Sequence, residues 1–246
     1  MSEPGLLIRS LSGRQSARNF HSFVINEIGL GVASGMFPLG SILPNDAEMI
    51  ERYGVSRTVL REALKTLEAK GLVEARAKVG TRVQPRSRWN LFDRQVLFWV
   101  FHAAPDADFL ESVMEFRRTL ELRAVELAAK RRTSEQVRMM RYWLQQHDLA
   151  ATMPEPCGLA AYEIHRLLFE ASHNALLRSA SGVAEFALAS ALRNQLRCGV
   201  VDFAEPKSAL YFQLVRTIEA GSPTDALVVT KEILTLDEAS ITAIPD

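Results

Sequence analysis

The chain has 246 residues, a formal net charge of zero at pH 7 and 48% hydrophobic residues. This length suggests one or two domains, and this composition excludes a chain that is disordered throughout. Its two cysteines, Cys157 and Cys198, are too few for a disulfide scaffold and fit a reducing cytosol.

The start, MSEPGLLIRS, lacks the apolar core of a signal peptide. The longest uncharged run, residues 28–45, is interrupted by Gly and Pro and predicts no membrane span. We therefore expect a soluble cytoplasmic protein with no membrane partner.

The charges are divided unevenly along the chain. Residues 1–88 contain 13 Lys and Arg against 8 Asp and Glu, a net charge of +5. Residues 89–246 contain 16 against 21, a net charge of −5. A basic first third joined to an acidic remainder predicts two domains with different partners.

The first third predicts three helices and a hairpin. Residues 1–17 show no periodicity and are expected to form a flexible arm. A helical pattern covers residues 18–35, a second helix lies between Pro44 and Gly54, and a third runs from its N-cap Ser56 to Lys70. Two short β-like stretches follow, at residues 72–75 and 80–83. This order, within residues 18–83, is typical of a winged helix-turn-helix (α+β) domain.

The remainder of the chain predicts helices alone. Residues 84–90 (QPRSRWN) are the best candidate for a linker. Helical patterns then cover residues 106–131, 133–151, 159–172 and 175–199, and two more flank Gly221, with a turn predicted at residues 153–158 (MPEPCG). Residues 91–246 are therefore predicted to form an all-α helical-bundle domain.

The third helix has the pattern of a DNA recognition helix. Its apolar side chains fall on one side: Leu60, Ala63, Leu64 and Leu67. Its polar and basic side chains fall on the other: Arg57, Thr58, Arg61 and Lys65. The N-terminal residues of such a helix reach base edges, where an Arg bonds guanine, and its N-terminus meets phosphate. The hairpin adds Arg76, Lys78 and Arg82 for contacts to the minor groove or its phosphates. The alternative is a solvated helix face of mixed charge.

These residues lie within a stretch that resembles a known family of regulators. FPLGSILPNDAEMIERYGVSRTVLREALKTLEAKGLVEARAKVGTRV closely resembles the winged-helix domain of GntR-type bacterial transcriptional regulators. The resemblance implies that Ser56, Arg57, Thr58 and Arg61 are the main contacts of the third helix to an operator in double-stranded DNA. The full set of candidate DNA-binding residues is Ser56, Arg57, Thr58, Arg61, Lys65, Arg76, Lys78 and Thr81.

Two positions depart from the pattern of that family. Ala47 stands where members usually have an Arg that contacts the DNA backbone from the second helix. Lys78 stands at the wing tip, where members usually have a Gly. We therefore expect affinity or operator sequence to differ from the usual pattern.

The remainder of the chain resembles the ligand-sensing domain of the FadR branch of the same family. The landmarks are EFRRTLELRAVELAAKRRT, EIHRLLFEASHNALL and VRTIEAGSPTDAL, and RSRWNLFDRQVLFWV looks closest to galactonate-type (sugar-acid) repressors. The resemblance implies that residues 91–246 bind an effector and form a homodimer. Many members of this branch also bind a divalent metal through one Asp and three His.

Laid on this chain, that metal pattern is mostly missing. The first His falls on His165, but the Asp falls on Ala161 and the other two His fall on Tyr211 and Ile233. Ala and Ile cannot coordinate a metal, and one His does not hold one. We predict that the metal site is lost and that the chain has no cofactor.

Three residues remain as candidates to bind an effector: Arg117, His165 and Tyr211. Arg117 interrupts the apolar stripe of its helix, and a buried Arg needs an anionic partner, which the carboxylate of an organic acid would supply. The alternative partner is Glu121, one helical turn away. His165 is alternatively a satisfied core histidine, and Tyr211 a packing residue. His147 has no partner at ligand spacing and is expected at the surface or at a helix cap.

The sequence thus predicts a DNA-binding transcriptional regulator, as a homodimeric repressor modulated by a small organic acid. One alternative is an architectural DNA-binding regulator whose pocket has decayed and that takes no effector. Another is a metal-dependent sensor or enzyme, against which Ala161 and Ile233 argue. There is no Gly-rich phosphate loop and no nucleophile–base arrangement, so we predict a non-enzyme.

Overall fold

A computed structural model describes residues 5–11 and 20–243 of the chain. The chain forms two compact units. The small unit comprises residues Gln15–Pro105, and the bundle comprises Asp106–Asp246 together with the segment Met1–Arg14.

The small unit contains a winged helix-turn-helix, as the sequence predicted. Its elements are α2 (Phe20–Ala33), α3 (Asp46–Tyr53), α4 (Arg57–Ala69), β1 (Val73–Arg76), β2 (Gly80–Val83) and α5 (Arg94–His102). The two strands pair antiparallel, with Val73 opposite Val83 and Arg76 opposite Gly80. A three-residue loop therefore closes the wing.

Local signals set the bounds of α3 and α4. Asn45 accepts from the backbone N–H of Glu48, whose side chain in turn accepts from the N–H of Asn45, so that α3 begins with a capping box. Ser56 caps α4 as predicted, since its hydroxyl accepts from the N–H of Val59 at 3.3 Å. Leu60 and Leu67 of α4 are completely buried, which fixes α4 on the core of the small unit.

The predicted linker at residues 84–90 belongs instead to the small unit, and its Trp89 packs into the core of that unit. Trp89 is buried and donates from Nε1 to the carbonyl of Gln84 at 3.1 Å. Residues 91–105, predicted as part of the bundle, also belong to this unit. Trp99 of α5 is fully buried against Gly29 of α2, where a Cβ would come within 2.4 Å of the indole ring. Large aromatic side chains bury much apolar area, which explains why these residues fold with the small unit.

The bundle is all-α, as predicted. Its larger helices are α6 (Ala107–Arg131), α7 (Ser134–Leu149), α8 (Pro154–Ala171), α10 (Ser181–Arg197), α11 (Ser208–Ala220) and α12 (Pro223–Thr242), with the short α9 (Ala175–Ser179) between α8 and α10. A hydrophobic core formed by α6, α7, α8, α11 and α12 includes Val125, Ile164, Leu214 and Ile233.

Two helix boundaries in the bundle differ from those predicted. The expected turn at residues 153–158 is the first turn of α8, because Pro154 lies at a helical position where no N–H is needed. The expected single helix at residues 175–199 is divided into α9 and α10 at Ala180. The stretch Ala175–Arg197 has the length and hydropathy of a membrane span, yet 78% of its apolar window is buried inside the bundle, as in a core helix.

The first residues of the chain are partly helical. Leu6–Ser10 form a short helix, α1, and Leu7 and Ile8 are buried against α8 and α10 of the bundle. The prediction of a flexible arm over residues 1–17 is therefore wrong for Leu6–Ser10, because the side chains of Leu7 and Ile8 are buried in the bundle. The rest of the predicted arm, apart from Gly5 and Leu11, lies outside the described residues.

Candidate functional site

The exposed face of α4 presents cations without ionic partners. Arg57, Thr58 and Arg61 are all exposed, and no described residue forms an ion pair with either Arg. Lys65 also lies on this face but pairs with Glu62, with Nζ and Oε1 2.9 Å apart. The two Arg are therefore free to meet an anionic surface, while Lys65 is partly neutralised.

Arg57 and Thr58 lie at the N-terminal end of α4, directly after its cap Ser56. Because it caps α4, Arg57 and Thr58 occupy the first helical turn, where backbone N–H groups lack intrahelical acceptors. Such an N-terminus attracts phosphate. The Ser56 hydroxyl is already an acceptor for Val59, and its own proton remains available to a second partner.

The wing contributes further basic side chains. Lys78 is exposed at the tip with φ of 61°, in the left-handed region that favours glycine. Arg76 is exposed and pairs with Glu74, Nε to Oε2 2.8 Å, while Thr81 and Arg82 are half-buried. Ala47, at the second position of α3, exposes a methyl group rather than a cation. The free charges thus concentrate at the start of α4 and at the wing tip.

The three candidate effector residues lie together in the interior of the bundle. Nε of Arg117 on α6 donates to Oε1 of Glu121 at 2.8 Å, and Oε2 of Glu121 lies 2.8 Å from Nδ1 of His165 on α8. Nε2 of His165 lies 3.0 Å from the hydroxyl of Tyr211 on α11. Because an ionised carboxylate only accepts, Nδ1 of His165 donates to Glu121, and the tautomer of the ring decides which partner donates in the bond between Nε2 and the tyrosine hydroxyl. All four side chains are buried.

Two residues that the sequence analysis did not single out complete this network. The carboxylate of Asp237 on α12 lies between Lys207 Nζ, 2.6 Å from Oδ1, and Arg117 Nη1, 2.8 Å from Oδ2. Both are buried. Glu121 was visible as a possible partner from its i+4 spacing, whereas Lys207 and Asp237 are 30 residues apart and no local spacing connects them. We call Arg117, Glu121, His165, Tyr211, Lys207 and Asp237 the buried polar network.

The network pairs two cations, Arg117 and Lys207, with two carboxylates, Glu121 and Asp237. Burial disfavours the ionised form of Asp237, but Lys207 and Arg117 outweigh it and hold the pKa of Asp237 well below its usual range. The pKa of Glu121 is likewise lowered, against the effect of burial, by Arg117 and His165. Burial raises the pKa of Tyr211 well above its usual value, so this residue keeps its proton.

One edge of the Arg117 guanidinium is not engaged in hydrogen bonds. Nη1 is close enough to Asp237 for an ion pair but is not aligned for a hydrogen bond, and Nη2 has no hydrogen-bond partner among the described residues. Buried polar groups are almost always hydrogen-bonded, so two guanidinium nitrogens without a hydrogen bond need an explanation. This edge has the geometry that binds a carboxylate through two parallel hydrogen bonds.

His147 lies beside this network rather than at the surface, contrary to prediction. It is 1% exposed on α7, and its ring packs edge-on against that of Tyr211, with centroids 5.0 Å apart. Burial lowers the pKa of His147, so the folded protein holds the neutral ring.

Burial also raises the pKa of Cys157 to about 12, which leaves a protonated and unreactive thiol.

The residues at the metal positions of the FadR branch do not fit a metal ion. Ala161, Tyr211 and Ile233 all belong to the hydrophobic core, and the Tyr211 hydroxyl is bonded to His165. Within residues 5–11 and 20–243, no group of three or more His, Cys, Asp or Glu side chains could hold a metal. The absence of a metal from the protein itself stays a prediction.

The winged helix-turn-helix and the all-α bundle with its buried polar network define the class of this protein, a DNA-binding transcriptional regulator. Residues 22–83 match the model of the bacterial regulatory proteins of the gntR family, and residues 112–235, half of the chain, match that of the FCD domain. The chain belongs to the GntR family, in the FadR-like branch that carries an FCD domain. Its members bind operator DNA and are not enzymes.

Similar curated proteins are regulators as well. The HTH-type transcriptional regulator YieP of Escherichia coli is 38% identical over 128 residues, 51% of this chain and 56% of that protein. The galactonate operon transcriptional repressor of the same organism is 29% identical over 158 residues, 64% of this chain and 69% of that protein. The Uxu operon transcriptional regulator, also from E. coli, is 34% identical over 56% of this chain and 52% of its own length. The chain thus matches little more than half the length of the first and third of these.

Solved structures show the same fold. A structure described as "Lar controls the expression of the Listeria monocytogenes agr system and mediates virulence" has a TM-score of 0.67 at 16% identity, covering 92% of this chain and 98% of that one. E. coli McbR/YncC has a TM-score of 0.54 at 16% identity with the same coverage. At such low identity the likeness concerns the fold alone.

Proposed function

We propose that this chain is a cytoplasmic homodimeric repressor whose operator binding is modulated by a small organic acid, a sugar acid in the first instance. The acid binds in the bundle at Arg117, His165 and Tyr211. The observation that carries this proposal is the Nη edge of the buried Arg117 guanidinium, where Nη1 forms an ion pair with Asp237 and neither nitrogen has a hydrogen-bond partner among the described residues.

Exchange of one carboxylate for another explains how a network of paired charges accepts an acid. When a ligand carboxylate takes the Nη edge of Arg117, Asp237 gives up an ion pair but keeps Lys207, 2.6 Å away. Glu121 keeps its bonds to Arg117 Nε and His165. The displaced carboxylate of Asp237 is therefore not left buried without a partner, which is the costly outcome in a protein interior.

The chemistry around Arg117 favours an acid that also carries hydroxyl groups. His165 and Tyr211 form a buried pair that can exchange its mutual hydrogen bond for bonds to a ligand hydroxyl. Sugar acids combine a carboxylate with several hydroxyls. The printed name of one relative, the galactonate operon transcriptional repressor, refers to such an acid.

We further propose that the acid binds without a metal ion. Arg117 and Lys207 already provide two positive charges in the interior, and Ala161 and Ile233 offer no ligand atoms. A divalent cation added to this site would meet two fixed cations and one imidazole whose nitrogens are both bonded.

Repression follows from the geometry of a dimer. Two copies of α4 must enter successive major-groove half-sites, so the operator is expected to be a palindrome that mirrors the symmetry of the dimer. An acid that binds more tightly to the arrangement unsuited to the operator shifts the population towards it and releases DNA.

A thermal-shift screen on chelator-treated protein tests the proposal. The panel contains D-galactonate, D-gluconate, D-glucuronate and succinate, and the metal content is measured on the same sample. At a concentration 100 times its Kd, a binding acid adds about 2.7 kcal/mol to stability. We expect stabilisation of the wild type, a weaker effect on Tyr211→Phe, and sedimentation as a dimer.

The other outcomes favour the alternatives. No shift with any acid favours an architectural DNA-binding regulator without an effector. Close to one tightly bound metal per chain before treatment with the chelator favours a metal-dependent sensor and shows that the metal positions have been misplaced.

A further inference from the structure

The buried polar network is closed off from solvent. Lys207 is 5% exposed, and the other five members are between 0% and 1% exposed. An acid that binds at Arg117 therefore reaches it only after a part of the bundle has moved. The residual exposure of Lys207 identifies the side of the network that lies nearest to the surface.

Lys207 ends the longest stretch of the described bundle that is neither helix nor strand. This stretch, residues 199–207, connects α10 to α11, and we call it the strap. The first turn of α11 follows directly, and the N–H of Tyr211 donates to the carbonyl of Lys207 at 2.9 Å. The strap thus contains one member of the network and leads into another.

The strap lies over side chains of α7 and α8 that are close to the network. Its Phe203 is buried. The charges of Lys207 and Asp202 act on the pKa of His147 and also on that of Cys157. Charges act most strongly over short distances, so both side chains lie close to the strap. Each of them is 1% exposed.

Isolated polar contacts hold the strap on α7 and the turn that follows it. The N–H of Phe203 donates to the carbonyl of Ala151 at 2.7 Å. Directly after the strap, the hydroxyl of Ser208 donates to Oδ1 of Asp148 at 2.6 Å. The helices around the network are held instead by a continuous ladder of backbone hydrogen bonds. The strap should therefore open at a lower free energy than these helices.

We propose that the strap is the lid of the effector site, an inference that rests on the proposed function. The acid enters when the strap opens, and the ion pair between Lys207 and Asp237 holds the strap closed.

A bound acid strengthens this closure. Without the acid, Asp237 keeps Arg117 at 2.8 Å when Lys207 leaves with the strap. A bound acid takes that edge of Arg117, so Asp237 then depends on Lys207. Opening would leave a buried carboxylate without a cation, which is costly. The acid thus closes the lid behind it.

Labelling of Cys157 in the full-length protein measures the opening. Cys198→Ser leaves Cys157 as the single thiol of the chain, and N-ethylmaleimide is the probe. The rate is first measured without acid, at increasing concentrations of urea below the unfolding transition. A local opening exposes little surface, so we expect a rate that does not depend on urea. Labelling through global unfolding would rise steeply with urea.

Two serine variants in this background test the attachment of the strap. Ser208→Ala removes the hydroxyl that donates to Asp148. We expect labelling about threefold faster or more, because the closed strap loses a hydrogen bond that the open strap does not have. Ser222→Ala is the matched control, since it removes a hydroxyl that donates to Asp225 at 2.7 Å, at the opposite end of α12 from Asp237. It should label at the rate of the parent protein.

The acids of the panel are then added one at a time. An acid at 100 times its Kd should slow the labelling of Cys157 by at least about tenfold, because it binds the closed form.

Three results would overturn the lid. They are labelling that proceeds only through global unfolding, an unchanged rate in Ser208→Ala, and an acid that raises the melting temperature without slowing the labelling. If no acid binds, the proposed function fails, while the urea dependence and the effect of Ser208→Ala still decide whether the strap opens.

Discussion

The two units of this protein use their cations in opposite ways. On α4, Arg57 and Arg61 are exposed and form no ion pair with any residue that the structure describes. In the bundle, Arg117 and Lys207 are buried, and each contacts at least one carboxylate. Within the described residues, the charge on the face of α4 predicted to meet DNA is unpaired, whereas the charge buried in the bundle is compensated within the fold.

This difference reflects the cost of desolvation. An exposed Arg keeps its hydration until it meets a phosphate or a base edge, so it contributes to binding rather than to folding. A buried Arg without a carboxylate would destabilise the fold, so it must be paired before any ligand arrives. Removal of a cation should therefore affect DNA binding in one unit and stability in the other.

The largest effect is expected from Arg117→Met. The loss of this cation leaves Glu121 and Asp237 in the interior with one cation fewer, which should lower the free energy of unfolding by about 3–5 kcal/mol. Arg118→Met is the matched control, since Arg118 pairs with Glu238 at the surface and both are 34% exposed. Its expected cost is at most about 1 kcal/mol. Urea denaturation of both variants checks this, and equal costs would contradict a buried pair.

Arg61→Ala should impair DNA binding and leave the fold unchanged. The loss of a base or phosphate contact is expected to cost about 1–3 kcal/mol in binding to an operator selected from a random library. Lys65→Ala should cost less, because Lys65 already pairs with Glu62. Fluorescence anisotropy gives both affinities. A larger loss of DNA affinity in Lys65→Ala than in Arg61→Ala would contradict this comparison. So would a lower melting temperature in Arg61→Ala.

Tyr211→Phe should destabilise the bundle modestly. It removes the hydroxyl bonded to His165 Nε2 and leaves a buried ring nitrogen without a partner, which costs about 1–3 kcal/mol. Tyr142→Phe, at a half-exposed tyrosine of the same unit, is the control. Thermal unfolding distinguishes them, and equal melting temperatures would show that the hydroxyl is dispensable.

Stability should also fall as the pH decreases below about 6.5, the ordinary pKa of a histidine side chain. Burial lowers the pKa of His147 in the fold, so below that pH the unfolded chain binds a proton that the folded chain does not. The contribution is at most about 1.4 kcal/mol per pH unit and is absent at higher pH. His147→Gln should flatten this part of the profile, whereas His173→Asn, at an exposed histidine, should not. An unchanged profile in His147→Gln would assign the effect to other groups.

The smallest effect is expected at the wing tip. Lys78→Gly suits the positive φ but removes a charge, so stability should rise slightly while DNA binding weakens. If Lys78 neutralises a phosphate, the slope of log Kd against log salt should decrease by about 1. Lys78→Asn removes the charge and still tolerates this backbone, so it separates the two effects. An unchanged slope in both variants would exclude Lys78 from the interface.

Local signals in the sequence were sufficient to predict the winged helix. Ser56 caps α4 where its residue type and position indicated, and Leu60 and Leu67 form the buried side of that helix. Each of these signals acts over a few residues. The candidate DNA contacts on α4 could be found in the same way, because helical spacing alone places Arg57 and Arg61 on one face.

Long-range partners were not predictable from spacing. Glu121 was found as a possible partner of Arg117 from its spacing. Asp237 contacts Arg117, and Lys207 contacts Asp237, only because α6, α11 and α12 pack together. The domain boundaries were misplaced for a similar reason. Trp99 and Ile8 are each buried against helices distant in sequence, and no local pattern reports which core an apolar side chain joins.

Operator release by an acid, in the absence of metal, is the most direct test of the account. Anisotropy of a labelled operator is followed while each acid of the panel is added to protein kept in chelator, with Arg61→Ala and Tyr211→Phe beside the wild type. The account predicts that one acid releases the wild-type protein, that Tyr211→Phe needs more of it, and that Arg61→Ala binds weakly from the start. Release that requires added metal, or operator binding that no acid changes, would contradict it.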